Sequence, residues 1–264
     1  MTTTIALAGK GGVGKTTIAA LVIKYLMQIQ TGPILAIDAD PSSNLNLALG
    51  MDLEGTIGDI REGLLSQVQS SMVGSGAAMG SLPGGMTKRD YLDYHIHSLI
   101  SEGENCDLIA MGRSEGQGCY CAVNHNLREI VDTLSSNYRY VVIDNEAGME
   151  HLSRRTTRDV DHLLIVSDPT QRGILAAKRI ASFRNEMDIA IRNSYLILNR
   201  LVGEIPEPLQ KRIDSLGIPL LGVVPAGQDL IEAEISGTPV VDLDDDSPVY
   251  RAVEGMIKKM EAQP

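Results

Sequence analysis

The sequence has no tryptophan and one phenylalanine, which argues against base-stacking platforms built from aromatic rings. Three cysteines in 264 residues are too few, and odd in number, for a disulfide framework; a reducing compartment fits better. Basic residues are in deficit. With 23 Lys and Arg against 34 Asp and Glu, the net charge is −11, the wrong balance for a protein whose main task is to grip a nucleic-acid backbone. No stretch approaches the roughly 18 uninterrupted apolar residues of a membrane span. The start, Met1–Gly9, lacks both a basic leader and an apolar run long enough for a signal peptide. The expectation is a cytoplasmic protein whose partners are neither nucleic acid nor membrane.

What is present is a rhythm. Ile5–Ala8, Ile34–Ile37, Leu108–Met111, Tyr140–Ile143, Leu163–Val166, Tyr195–Leu198 and Leu220–Val224 are short runs rich in Ile, Val and Leu without alternation. Such runs are expected of strands buried on both faces. Helical periodicity separates them, over Thr16–Ile29, Arg128–Leu134 and Gln171–Met187. The pattern predicts one α/β domain over residues 1–264, with a mostly parallel sheet of about seven or eight strands and helices on both faces. A helical insertion around 51–105 interrupts the rhythm. Its glycine-rich centre, Gly74–Gly85, reads as a flexible loop and suggests a lid or docking surface. Pro248–Met260 has an apolar stripe at helical spacing beside Lys258 and Lys259. Because Glu254 and Glu261 share the polar face, we read a last helix packing on its own sheet, not one lying on a membrane.

Gly9-Lys10-Gly11-Gly12-Val13-Gly14-Lys15-Thr16-Thr17 fits the phosphate-loop pattern G-x-x-x-x-G-K-[ST], directly after a predicted strand and before a predicted helix. Glycines let backbone N–H groups curl around phosphate oxygens, and the helix N-terminus adds partial positive charge. Lys15 is expected to bridge the β- and γ-phosphates, and the Thr16 hydroxyl to reach Mg²⁺.

The other chemical feature is Gly118-Cys119-Tyr120-Cys121. In an extended segment both thiols point to one side, so they can face one ion. Two thiolates complete neither a tetrahedral nor a square-planar site. Other side chains or a second copy of the chain must supply the rest, and His125 is the local competitor. A core role or a strained redox disulfide are the alternatives, although the polar, glycine-rich run Gly112–Gly118 reads as exposed loop. Cys106, at the entry to a strand, reads as structural. His95 and His97 fall in a helical stretch that would splay their rings, and both read as surface residues.

With its additional Lys10, the phosphate loop resembles that of the deviant P-loop family containing MinD, ParA, the nitrogenase iron protein and the arsenite-pump ATPase. The resemblance implies ATP/ADP as the nucleotide and a homodimer in which Lys10 reaches the partner's nucleotide. It implies that Asp40, in Asp38-Ala39-Asp40-Pro41, orients the attacking water, and that Asn44 stands where some members use an Asp in the outer shell of Mg²⁺. Asp144, at the end of a strand, matches the carboxylate that holds a Mg²⁺-bound water. Asn199 and Arg200 match the adenine-recognition position, and Pro225 begins the loop flanking the base. More narrowly, Gly118–His125 and Asp144–Arg155 resemble the CooC-type nickel-insertion ATPases. That likeness implies Ni²⁺, with Zn²⁺ equally suited to thiolates, bound between subunits by Cys119 and Cys121. It implies ATP-driven support of nickel insertion into carbon monoxide dehydrogenase or acetyl-CoA synthase. Help from Cys106, His125 or His151 stays open. Alternatives within the same family are a partition or membrane-positioning ATPase and an iron–sulfur electron donor resembling nitrogenase reductase.

Overall fold

The structure is a computed structural model and describes residues 2–64, 87–112, 129–147, 159–183 and 190–262. All seven apolar runs form strands: β1 Thr3–Gly9, β2 Ile34–Ala39, β3 Cys106–Ala110, β4 Tyr140–Asn145, β5 Asp159–Ser167, β6 Ala190–Leu201 and β7 Leu220–Pro225. They make one sheet in the order β3-β2-β4-β1-β5-β6-β7, parallel at every pairing. The expected mostly parallel sheet is thus wholly parallel among the described residues, and the chain is a single α/β domain.

Strand residues alternate between two cores. Ala6, Ala8, Leu35, Ile37, Val141, Ile143, Leu163 and Ile165 face one layer; Ile5, Leu7, Ile34, Ala36, Val142, Leu164 and Val166 face the other. Both faces are apolar because both are covered, which is why the sequence runs do not alternate. On the second face lie α1 (Lys15–Ile29), α2 (Leu45–Leu49), α6 (Gln228–Ser236) and α7 (Pro248–Glu261); α3 (Lys88–Ser98), α4 (Gln171–Phe183) and α5 (Glu207–Asp214) lie on the first.

Several boundaries move. β5 and β6 start earlier than expected, because polar, partly exposed residues such as His162 and Asn193 still continue the ladder between them. Met111 leaves β3, and its N–H donates to Asp38 O at 2.7 Å. Within the insertion, residues 57–64 and α3 are helical, whereas Gly74–Gly85 falls outside the described residues.

The C-terminal stripe is core. Val249, Tyr250, Val253, Met256, Ile257 and Met260 are buried against β7 and α1, and Ser247 caps the helix by accepting from Tyr250 N at 3.2 Å. At its far end Glu261 accepts from the hydroxyls of Tyr25 and Tyr140, each at 3.0 Å. No helix among the described residues is long and apolar enough to cross a membrane. Ile257→Ala removes a fully buried side chain at this seam. It should lower unfolding stability by about 2–4 kcal/mol in urea titrations, from lost transfer energy plus the residual cavity; a change within error would show that α7 is not integral to the core.

Candidate functional site

Parallel strands place all their C-terminal ends on one edge, and the central β1 delivers the glycine-rich loop there, where the chain crosses from one half of the sheet to the other. Gly12 and Gly14 adopt left-handed backbone, φ +79° and +92°, which a side chain would oppose. Gly14 is also the N-cap of α1 and offers no capping side chain, so the N–H groups of the first turn keep their capacity for an anion. Lys10, Gly11 and Gly12 are exposed, Val13 and Lys15 buried, and Gly14, Thr16 and Thr17 half-buried. Lys15 is thus enclosed at the start of α1 while Lys10 is exposed on the loop.

Beneath the loop lies a pair of carboxyl groups. Asp38 on β2 and Asp144 on β4 are register partners, 0% and 1% exposed. Thr16 Oγ1 donates to Asp144 Oδ2 at 2.5 Å, which leaves the hydroxyl's lone pairs for a cation. Asp144 Oδ1 is buried with no partner among the described residues, an acceptor that a metal-bound water would satisfy. Burial pushes Asp144 up to about 7; the negative charges of Asp38 and Asp40 add to the rise, and the Thr16 hydrogen bond and Lys15 oppose it. This chemistry fits Mg²⁺.

Asp38 is the residue whose role sequence reasoning missed. Its Oδ1 accepts from Asp40 N at 3.0 Å and its Oδ2 from Leu45 N at 2.9 Å, so one buried carboxyl folds the loop bearing Asp40 and seats the start of α2. Burial raises its pKa above the ordinary carboxylate value, and these N–H donors oppose the rise. Its signal was an Asp two residues before Asp40 at the end of an apolar strand. Asp40 itself is half-buried, its Oδ1 accepting from Ser42 N at 2.8 Å. Asn145 was missed as well: it is buried, and its Nδ2 ties the end of β4 to Leu7 O at 2.7 Å. Asn44 is exposed at the N-cap of α2.

On the other side of β1, β6 reaches the same loop. Asn199 Nδ2 donates to Val13 O at 2.8 Å, and Arg200 Nη1 donates to Gly12 O at 3.0 Å. Asn199 Oδ1 accepts from Arg200 N at 2.9 Å. Arg200 holds φ +59°, a left-handed backbone that costs a non-glycine residue about 1 kcal/mol or more. Pro225 ends β7 opposite Leu201, next to this pair.

Cys119, Cys121 and His125 fall outside the described residues, as does His151. Among the described residues no group of three His, Cys, Asp or Glu is disposed to hold a metal. Cys106 is buried, and burial pushes its thiol up to about 12, in keeping with a structural role. His97 is exposed near Asp93, but His95 is half-buried against the Tyr91 ring at 4.2 Å, a correction to its expected surface position.

The Asp144 shift has a stability consequence. Its folded pKa lies above the unfolded value, so between about pH 4 and about 7 the native state holds a proton that the unfolded chain has released, and stability falls as pH rises through this window. Asp144→Asn removes the effect. The melting temperature of the nucleotide-free variant should gain on that of the wild type as pH goes from about 5 to about 8; a constant difference would show that Asp144 titrates normally.

Comparison with known proteins agrees with this geometry. Residues 4–240 match the CobQ/CobB/MinD/ParA nucleotide binding domain. An uncharacterized ATP-binding protein of Methanocaldococcus jannaschii is 42% identical over 256 residues, covering 97% of each chain. The carbon monoxide dehydrogenase accessory protein CooC of Rhodospirillum rubrum is 29% identical over 251 residues, with coverage of 94% of this chain and 91% of that one. Among solved structures, MinD of Pyrococcus horikoshii complexed with Mg-ADP has a TM-score of 0.67 at 21% identity, covering 99% of this chain and 97% of that one. A strand-borne phosphate loop over a buried acidic pair, on this sheet and across nearly the whole length, makes the chain a member of the CobQ/CobB/MinD/ParA nucleotide-binding family.

Proposed function

We propose that this P-loop ATPase acts as a homodimeric metallochaperone, coupling ATP binding and hydrolysis to the holding and release of Ni²⁺ as cargo for carbon monoxide dehydrogenase or acetyl-CoA synthase. Lys15 neutralises the β- and γ-phosphate oxygens, and Lys10, exposed at the rim, does so for the partner's nucleotide. Asp40 orients water for in-line attack on the γ-phosphorus. Asn199 and Pro225 face the adenine. Mg²⁺, when bound, would be held by Thr16 and, through water, by Asp144, and it supplies positive charge at the phosphate oxygens.

One observation carries the link from nucleotide to cargo. The stretch bearing Cys119 and Cys121 begins just after β3, and β3 leaves the sheet through Met111, whose N–H donates to Asp38 O. The same Asp38 holds the Asp40 loop with its carboxyl oxygens. A loop that rearranges on hydrolysis therefore shares a residue with the root of the cysteine segment. The likeness to CooC, named as a carbon monoxide dehydrogenase accessory protein, supplies the client class. Two thiols per chain make half of a four-coordinate site, so cargo binding and dimer formation are thermodynamically linked. A membrane-positioning role of the MinD kind is less well supported, because the apolar stripe of α7 is spent in the core.

Replacing both Cys119 and Cys121 with Ala should abolish stoichiometric nickel binding in equilibrium dialysis while ATP affinity stays near that of the wild type. Full nickel retention would sink the cargo assignment. Lys15→Ala should reduce ATP turnover by about a hundredfold or more, the loss usual for a group stabilising transition-state charge; substantial surviving phosphate release would remove this lysine from the chemistry.

A further inference from the structure

We infer that Arg200 is a positioning residue for the phosphate loop, and that the irregularity in β6 exists to aim it there. The pairing of β6 with β7 runs Leu198 to Val223 and then Leu201 to Pro225, so β6 spends one residue more than β7 over that step. This is a bulge, a device that re-aims side chains beside active sites. In a regular strand Asn199 and Arg200 would point to opposite faces of the sheet. With Arg200 turned into left-handed backbone, both side chains instead reach successive carbonyls of one loop, Val13 O and Gly12 O.

Those two carbonyls matter because of what lies on the other side of their peptides. A loop that turns N–H groups inward to cradle phosphate must turn carbonyls outward, and outward carbonyls need donors. Asn199 serves the buried one and the guanidinium of Arg200 the exposed one. The pair is itself cross-braced, since Asn199 Oδ1 accepts from Arg200 N. Gly14 closes the arrangement: a Cβ there would stand 2.4 Å from Asn199 Nδ2, so loop and strand end are fitted to each other. Arg200 thus holds the loop in its binding shape before nucleotide arrives, which reduces the ordering that binding must pay for. The inference rests on nucleotide binding alone and is independent of nickel.

The test is nucleotide affinity in Arg200→Ala, Arg200→Lys and Arg200→Gly, measured by calorimetry with ATP, ADP and GTP. Loss of one charge-assisted clamp should weaken ATP and ADP equally, by about tenfold, with the ratio of ATP to GTP affinity unchanged and kcat at saturating ATP altered much less than KM. Arg200→Gly should lose as much affinity as Arg200→Ala although it adopts the left-handed backbone without strain, and Arg200→Lys should recover part of the loss. Wild-type affinity in the Ala and Gly variants would overturn the inference. So would a loss confined to adenine nucleotides, which would make Arg200 a reader of the base, or a loss seen in Arg200→Ala but absent in Arg200→Gly, which would make backbone strain the cause.

Discussion

Two carboxyl groups buried side by side in an apolar sheet are the constraint around which the site is built. Asp38 and Asp144 stand in register on adjacent strands with almost no solvent contact. Charge in such a place is unfavourable unless it is paired, hydrogen-bonded or neutralised by a proton or metal. Each group around them answers part of that demand. Lys15 brings a cation, Thr16 a hydroxyl and the Asp40 loop two backbone donors. The remainder is left open, in the unpartnered Oδ1 of Asp144. A site that is electrostatically incomplete without a cation has a built-in means of distinguishing its loaded state from its empty one.

The parallel sheet makes this economical. Because every strand points the same way, the residues that bind, position and transmit collect on one edge from separate parts of the chain. β1 carries the loop, β2 and β4 the acids, and β6 the tether. The opposite edge is left to structural contacts such as Glu261 with Tyr25 and Tyr140. Lys24, also away from the phosphate loop, is buried, donates to Leu243 O and stands 3.0 Å from Asp245.

Much of this was legible in the residues. Parallel strands covered on both faces appear as unbroken apolar runs, so all seven were found, and the phosphate loop announces itself through its glycine pattern, two of whose members, Gly12 and Gly14, take left-handed backbone in the structure. What escaped was whatever depends on a neighbour. The weight carried by Asp38 comes from amides at Asp40 and Leu45, which a linear pattern does not display. The bulge at Asn199 and Arg200 arises from pairing with β7, so those residues were assigned to the base with no sign that they also brace the loop. The early starts of β5 and β6 were hidden for a related reason: their polar residues satisfy a ladder at the rim rather than a core.

The tie between the two ends of the chain sets an order on biosynthesis. The phosphate loop occupies residues 9–17, yet β1 finds its sheet neighbours in β4 and β5, and α1 is covered by α7. A chain emerging from the ribosome exposes its glycine-rich loop long before the partners that shape it exist. The shape of the nucleotide loop is therefore a long-range property of the sheet, fixed by strands far from it in sequence.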